Sequence, residues 1–350
     1  MKYRSFEAHT NSSINSCVHF NNNYLLTGGG NDFRLKLHNL SSDDKLKSPI
    51  LFPKYHTNSI NALDISQTFD FIVSASNDNI IVIDVIRRTK LHSMLNSPMV
   101  EGTEQVDIQP NTNHAKDQVL DCKVLNDCMI ASCGVNHHLN VFDLRQPNFH
   151  KPVYSINLGN DNLNCLDFNK SSYDISIGSS NGDLYTVDIR NQNLMIDKFD
   201  YKESSILNVS KYEKDDWNLI NFDNGTIELL NRDKSKTANY KILNPTTTEN
   251  AIEAISYKLN SQYIPTSNYI INGTTQGVVE VWKYNPLTSK ISKLKQLSIP
   301  PTSPSDTTLK NVNSNQSAAK VLSYVHYNQS TNQLISTSGS GFIHIWDYVF

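Results

Sequence analysis

The chain has 350 residues, 38% of them hydrophobic and 19% charged, which is enough apolar material for a sizeable core and too much for global disorder. Its net charge of −3 and isoelectric point near 6.4 carry no basic excess of the kind nucleic-acid binding needs, so no direct nucleic-acid binding is expected. Met1 to Glu7 form no apolar leader, no apolar run approaches the roughly 18 residues of a membrane helix, and the five cysteines (17, 122, 128, 133 and 165) are an odd number that reads as reduced thiols. An intracellular protein, cytoplasmic or nuclear, without a membrane partner is expected.

In chain order, an alternating segment at 2–7 comes first and has no unit of its own. One pattern then recurs seven times. A half-buried first strand is followed by a second strand ending in small residues, by a turn rich in Asn, Asp or Gly, and by a β-rich third strand. The predicted first strands are 14–20, 60–65, 119–125, 163–168, 206–212, 252–257 and 321–327. The predicted third strands are 33–38, 80–84, 139–143, 184–188, 227–231, 279–283 and 343–347. Large residues near their ends, at 38, 83, 142, 187, 230, 282 and 346, are spaced by 45, 59, 45, 43, 52 and 64. That is a unit of about 40–45 residues with insertions. Asn181-Gly182 and Asn224-Gly225 are two-residue hairpin signals. The segments 96–118 and 300–318 are polar and read as flexible insertions, with a shorter one at 244–250. No helical periodicity runs long enough to predict a substantial helix.

The end Phe342-Ile343-His344-Ile345-Trp346-Asp347 carries a Trp-Asp signature. Ala8-His9-Thr10 and Tyr55-His56-Thr57 stand where a Gly-His opening would be, and Asp32 and Asp78 occupy the turn before the third strand. Other units hold Asn136, Asn181, Asn224, Gln276 and Ser340 at that turn, and none has a complete Asp-His-Ser/Thr-Trp set. On these residues nearly the whole chain resembles the WD40-repeat family. The resemblance implies an all-β, seven-bladed WD40-type β-propeller as a single domain, 1–350, with blades at 10–48, 56–95, 115–158, 159–202, 203–243, 249–299 and 319–350. The last unit stops four residues after Trp346, so strand 2–7 is expected to join it as a fourth strand and close the ring. The run Val187-Asp188-Ile189-Arg190-Asn191 and the run Thr226-Ile227-Glu228-Leu229-Leu230 are faintly similar to WD40 proteins that organise MAP-kinase modules and associate with splicing complexes.

No Gly-x-Ser-x-Gly, His-Glu-x-x-His or phosphate-binding glycine loop is present, and Gly28-Gly29-Gly30 leads into a hairpin without the Lys-Ser/Thr of a phosphate loop. Cys122, Cys128 and Cys133 lie near His137 and His138 in sequence, but their spacing is not that of a zinc site. No enzyme activity, cofactor, metal or small-molecule substrate is expected. Partner binding is expected on the face built from second-to-third-strand turns and the segments entering each first strand. That face takes Asp32, Asn58, Asn77, Asn136, His137, Asn162, Asn181, Asn224 and Gln276. Trp217, Tyr3 and Phe33 are the aromatic candidates for it, with core packing as their competing use. Asp143-Leu144-Arg145 and Asp188-Ile189-Arg190, in adjacent units, resemble the Trp-Asp-x-Arg motif by which some propellers dock onto cullin-RING ubiquitin ligases, although Phe142 and Val187 replace the Trp. A local ion pair is the simpler use of both. The function expected is a non-catalytic scaffold that binds protein partners in an intracellular complex. The alternatives are a ubiquitin-ligase substrate receptor, or the WD40 subunit of a nuclear RNA-processing or signalling complex.

Overall fold

The structure is a computed structural model that describes residues 2–20, 23–41, 48–66, 68, 70–96, 118–190, 195–200, 204–212, 217–231, 237–240, 259–288, 290–300, 321–347 and 349–350. Strand β1 (Lys2–Glu7) is followed by seven antiparallel units. Blade 1 holds β2 (Ile14–Phe20), β3 (Tyr24–Gly29), β4 (Leu35–Asn39) and β5 (Ile50–Leu51). Blade 2 holds β6 (Ile60–Ile65), β7 (Phe71–Ser76), β8 (Ile80–Asp84) and β9 (Lys90–Met94). Blade 3 holds β10 (Val119–Asn126), β11 (Met129–Gly134), β12 (His138–Asp143) and β13 (Tyr154–Asn157). Blade 4 holds β14 (Leu163–Asn169), β15 (Asp174–Ser179), β16 (Asp183–Asp188) and β17 (Met195–Asp200). Blade 5 holds β18 (Ile206–Tyr212), β19 (Trp217–Phe222), β20 (Ile227–Asn231) and β21 (Thr237–Tyr240). Blade 6 holds β22 (Ser261–Ile264), β23 (Tyr269–Gly273), β24 (Val278–Asn285) and β25 (Lys290–Ser298). Blade 7 holds β26 (Leu322–Asn328), β27 (Gln333–Ser338) and β28 (Phe342–Asp347), and β1 pairs with β28 as its fourth strand. The seven sheets form a β-propeller.

The second and third strands of most blades are buried on both faces, which is why they read as near-continuous runs such as Phe71–Ser76 and Ile80–Ile83 rather than as clean alternation. Their apolar side chains meet those of the next blade. The core is therefore a ring of seams, each filled from two neighbouring blades. Leu26, Leu37, Ile60 and Ile83 join blades 1 and 2, Leu163, Val141 and Ile175 join blades 3 and 4, and Ile14, Leu25, Ile335 and Ile345 join blades 7 and 1.

Around the axis the first strands are also tied by polar side chains that accept an amide from the next blade. Val124 N–H donates to Asp64 (2.7 Å), Leu166 N–H to Asp121 (3.0 Å) and Lys211 N–H to Asp167 (2.7 Å). Val325 N–H donates to Asn260 (2.9 Å) and Tyr327 N–H to Gln262 (2.6 Å). These bonds satisfy first-strand amides that no ladder reaches. The strands enclose a polar channel of about 420 Å3. Lys123 Nζ stands in it 3.0 Å from Asp167. Asp167 first, and Asp64 after burial is set against it, hold that ammonium above its ordinary pKa.

Three sequence expectations change. Phe33 does not open the third strand of blade 1, because it sits in the preceding turn with φ 56° and β4 begins at Leu35. The first strand of blade 6 is Ser261–Ile264, and the expected 252–257 lies outside the described residues. Of the expected flexible insertion 96–118, Asn96 is fully buried and hydrogen-bonded; residues 97–117, 244–250 and 301–318 lie outside the described residues.

Candidate interaction surface

Every blade turns from its second to its third strand over the same short loop, on the face where the chain also enters each first strand. Asp32, Asp78, Asn136, Asn181, Asn224, Gln276 and Ser340 hold one position of that loop in blades 1 to 7. The next residue adopts a left-handed backbone in six of them, at φ values of 56° (Phe33), 64° (His137), 91° (Gly182), 78° (Gly225), 77° (Gly277) and 85° (Gly341). Asn and Asp suit the first position because their side chains bond amides two residues on. Thr226 N–H donates to Asn224 Oδ1 at 2.8 Å, and Arg34 N–H to Asp32 Oδ1 at 3.2 Å.

In blades 1 and 2 this loop is locked from behind. His9 is fully buried, its Nδ1 lies 2.7 Å from Asp32 and its Nε2 lies 2.8 Å from the Thr27 hydroxyl. Thr27 in turn lies 3.1 Å from His38 Nε2. One set of protons satisfies every link: His38 donates to Thr27, Thr27 to His9, and His9 to the Asp32 carboxylate. Burial, with His9 and Lys36 adding to it, pulls the His38 pKa down to about 3, which keeps that ring a neutral donor. Burial alone would raise the Asp32 carboxyl, but the His9 bond, the Arg34 amide and Lys36 outweigh it and hold it below its ordinary value. Blade 2 repeats the arrangement with His56, Asp78 (2.9 Å) and Ser74 (2.8 Å). His38 thus takes the place of a Trp at the end of the relay, a substitution that comparison with the usual residue identities does not reveal.

Blade 3 uses a different residue for the same purpose. Asn96 Oδ1 accepts from Ser132 at 2.6 Å and from Asn140 at 2.9 Å, and Asn136 donates to the Asn96 carbonyl. Asn96 therefore stands where His9 and His56 stand in blades 1 and 2. No local sequence signal marks it. Gln118, the next described residue after Asn96, lies beside the same loop, its carbonyl accepting from Val135 N–H at 3.1 Å.

The expected partner-binding residues divide by exposure. Asn58, Asn181, Asn224 and Gln276 are exposed. Asp32, Asn77, His137 and Asn162 are half-buried, with Asp32 committed to His9 and Asn77 accepting from Asn61 at 2.6 Å. Asn136 is 9% exposed and bonded to Asn96, so it is removed from the accessible set. Of the aromatic candidates, Trp217 is in the seam between blades 5 and 6, Tyr3 packs on Trp346, and Phe33 remains half-exposed on this face.

The turns after the third strands, on the opposite face, carry the two Asp-x-Arg sequences. Arg145 grips Asp143 through Nε (2.9 Å) and Nη2 (2.7 Å), and Arg190 grips Asp188 at 2.9 and 2.6 Å. Each Arg side chain is about two-thirds exposed, at 68% and 62%, and Arg190 also lies 5.6 Å from the Tyr173 ring. The Cys122, Cys128, Cys133, His137 and His138 set does not assemble, since Cys128 and His137 lie at opposite ends of β11. Among the described residues no three metal-ligating side chains converge.

A protein-family model described as the WD domain, G-beta repeat, matches residues 2–39 and 47–83. Those spans end on the third strands of blades 1 and 2, the two blades whose loops are locked by a His–Asp bond. A search of curated proteins finds no match to the chain.

Proposed function

The chain belongs to the WD40-repeat β-propeller family, whose members are generally non-catalytic platforms for protein–protein interaction, and we propose that it is itself a non-catalytic scaffold subunit that holds protein partners on the face of the second-to-third-strand turns. The observation that carries this reading is the ring of equivalent loops. Asn181, Asn224 and Gln276 are exposed on three successive blades, joined by Asn58 between blades 1 and 2, and the Asn181 and Asn224 side chains hold their own loops by accepting from Asp183 N–H and Thr226 N–H. Rigid scaffolds present binding residues in this way, and exposed Asn and Gln side chains suit the peptide groups of an extended partner segment. The five cysteines stand outside any disulfide, which suits a reducing compartment, the cytoplasm or the nucleus. Affinity purification with mass spectrometry tests the reading. A variant with Asn58, Asn181, Asn224 and Gln276 changed to alanine should stay folded, at a modestly lower melting temperature because loop bonds of Asn181 and Asn224 are lost, and lose a stoichiometric partner; retention of every partner would remove the face from consideration.

A second reading concerns the opposite face. Arg145 and Arg190 are held in matching postures on adjacent blades, as a docking surface for a ubiquitin-ligase adaptor requires, although each Arg is already closed on its own Asp. Arg145→Ala with Arg190→Ala should then abolish co-purification of ligase subunits while leaving the other face's partners in place. Membership of a nuclear RNA-processing or signalling complex rests on the identity of those partners.

A further inference from the structure

The left-handed position of the second-to-third-strand loop offers a comparison internal to this chain. In blades 4 to 7 it is glycine, the residue that meets φ near 80–90° without steric cost. Blade 1 places phenylalanine there, at φ 56°. A bulky side chain in the left-handed region is a strained choice, and strain of this kind is retained where the side chain serves something other than the fold. The ring of Phe33 contributes to none of the buried apolar clusters. It stays half-exposed, with Lys54 Nζ 4.8 Å above its centroid. Arg34, the next residue, is exposed, as is Lys54. Neither cation makes an ion pair among the described residues. The carboxylates of the second-to-third-strand loops in blades 1 and 2 are engaged elsewhere, Asp32 with His9 and Lys36, and Asp78 with His56 and Thr57.

We infer that Phe33, Arg34 and Lys54 form the anchoring point of the interaction face, and that it takes an acidic segment of a partner protein in which carboxylates flank an apolar side chain. The inference rests on the platform reading above and adds the chemistry of its partner. The ring supplies a flat apolar contact of low conformational entropy. The guanidinium and ammonium beside it complement carboxylates, and they disfavour a basic partner by like-charge repulsion.

The position also supplies a test in which stability and binding move in opposite directions. The probe is a fluorescein-labelled hexapeptide with two glutamates on each side of a central leucine–phenylalanine pair, compared with its glutamine counterpart by fluorescence anisotropy. The parent should bind the acidic peptide at least tenfold more tightly, and the preference should shrink as salt is raised. Phe33→Gly should melt no lower than the parent, because glycine relieves the backbone, and should bind at least tenfold more weakly. Arg34→Glu with Lys54→Glu, both on exposed side chains, should lose the preference with the fold intact. Equal binding of the two peptides by the parent, or undiminished binding by either variant, would overturn the inference. So would a fall in the melting temperature of Phe33→Gly, which would assign the ring to packing. If the peptide fails while the Asn58, Asn181, Asn224 and Gln276 variant still loses its partner, this inference falls and the platform reading stands.

Discussion

His9, Thr27, Asp32 and His38 come from four separate segments of blade 1, and each makes sense only in the company of the others. A buried imidazole with both nitrogens bonded is a stabilising element, whereas its truncation leaves a threonine and a carboxylate partly unsatisfied. His9→Ala should therefore destabilise the protein by about 1–3 kcal/mol in chemical denaturation, and an unchanged midpoint would contradict the relay. Gly134 makes a second case. A Cβ there would stand 2.0 Å from the Gln118 carbonyl and 3.0 Å from Asn96 Nδ2. Gly134→Ala should lower the melting temperature clearly, and a neutral result would mean that the anchor yields. Much at this scale was legible. Asp32, Asn181 and Asn224 stand in the predicted turns because Asn, Asp and Gly announce left-handed turns locally. Burial was not legible: Asn136 and Asn181 hold the same loop position, yet one is covered by Asn96, forty residues earlier in the chain, and the other is exposed. Phe33 was read as a strand residue because its β propensity is strong, and only the backbone shows it in the glycine position.

Among elements, β1 carries the closure of the ring. Its six residues pair with β28 from Lys2 opposite Asp347 to Glu7 opposite Phe342. The Tyr3 hydroxyl is hydrogen-bonded with His344 Nδ1 at 2.8 Å, and its ring packs on Trp346, which is 1% exposed. Arg4 reaches the Leu40 carbonyl of blade 1 at 2.8 Å, so the same strand ties the two ends of the ring. Deleting residues 1–8 should uncover an edge and the Trp346 seam and lower the melting temperature by many degrees; an unaltered melting curve would refute this role for β1. The pattern of seven strand sets, and this closure, were visible because they follow from spacing and from a strand left without a unit. The first strand of blade 6 was not, since 252–257 alternates apolar and polar residues more convincingly than Ser261–Ile264, whose polar positions face the channel and the neighbouring blade. The amide-accepting side chains of the first strands were invisible as well, because each bond joins residues 44 to 65 positions apart or of that order, as in Lys211 with Asp167 and Val325 with Asn260.

At the scale of the whole molecule, burial governs the response to pH. Burial lowers the pKa of His19 and His344 to about 4. It lowers those of His38 and His326 to about 3, with nearby charges adding to it. The His19 and His326 rings stack at 4.4 Å across the seam of blades 1 and 7. An unfolded chain protonates these rings near pH 6.5, while the folded chain keeps them neutral down to about pH 4. The unfolded state therefore binds more protons in that window, and stability present above pH 6.5 is lost as the pH falls towards 4, by at most about 1.4 kcal/mol per unit for each ring. Melting temperatures at pH 5 should lie well below those at pH 7.5, and coincident values would show that the rings are more solvated than the structure has them. The platform reading itself is tested most directly by hydrogen–deuterium exchange on the purified complex with its principal partner. The account predicts new protection in the loops around Phe33, Asn58, Asn181, Asn224 and Gln276, with the opposite face unchanged. Protection confined to the turns of Arg145 and Arg190 would contradict it and move the interface to the other side of the ring.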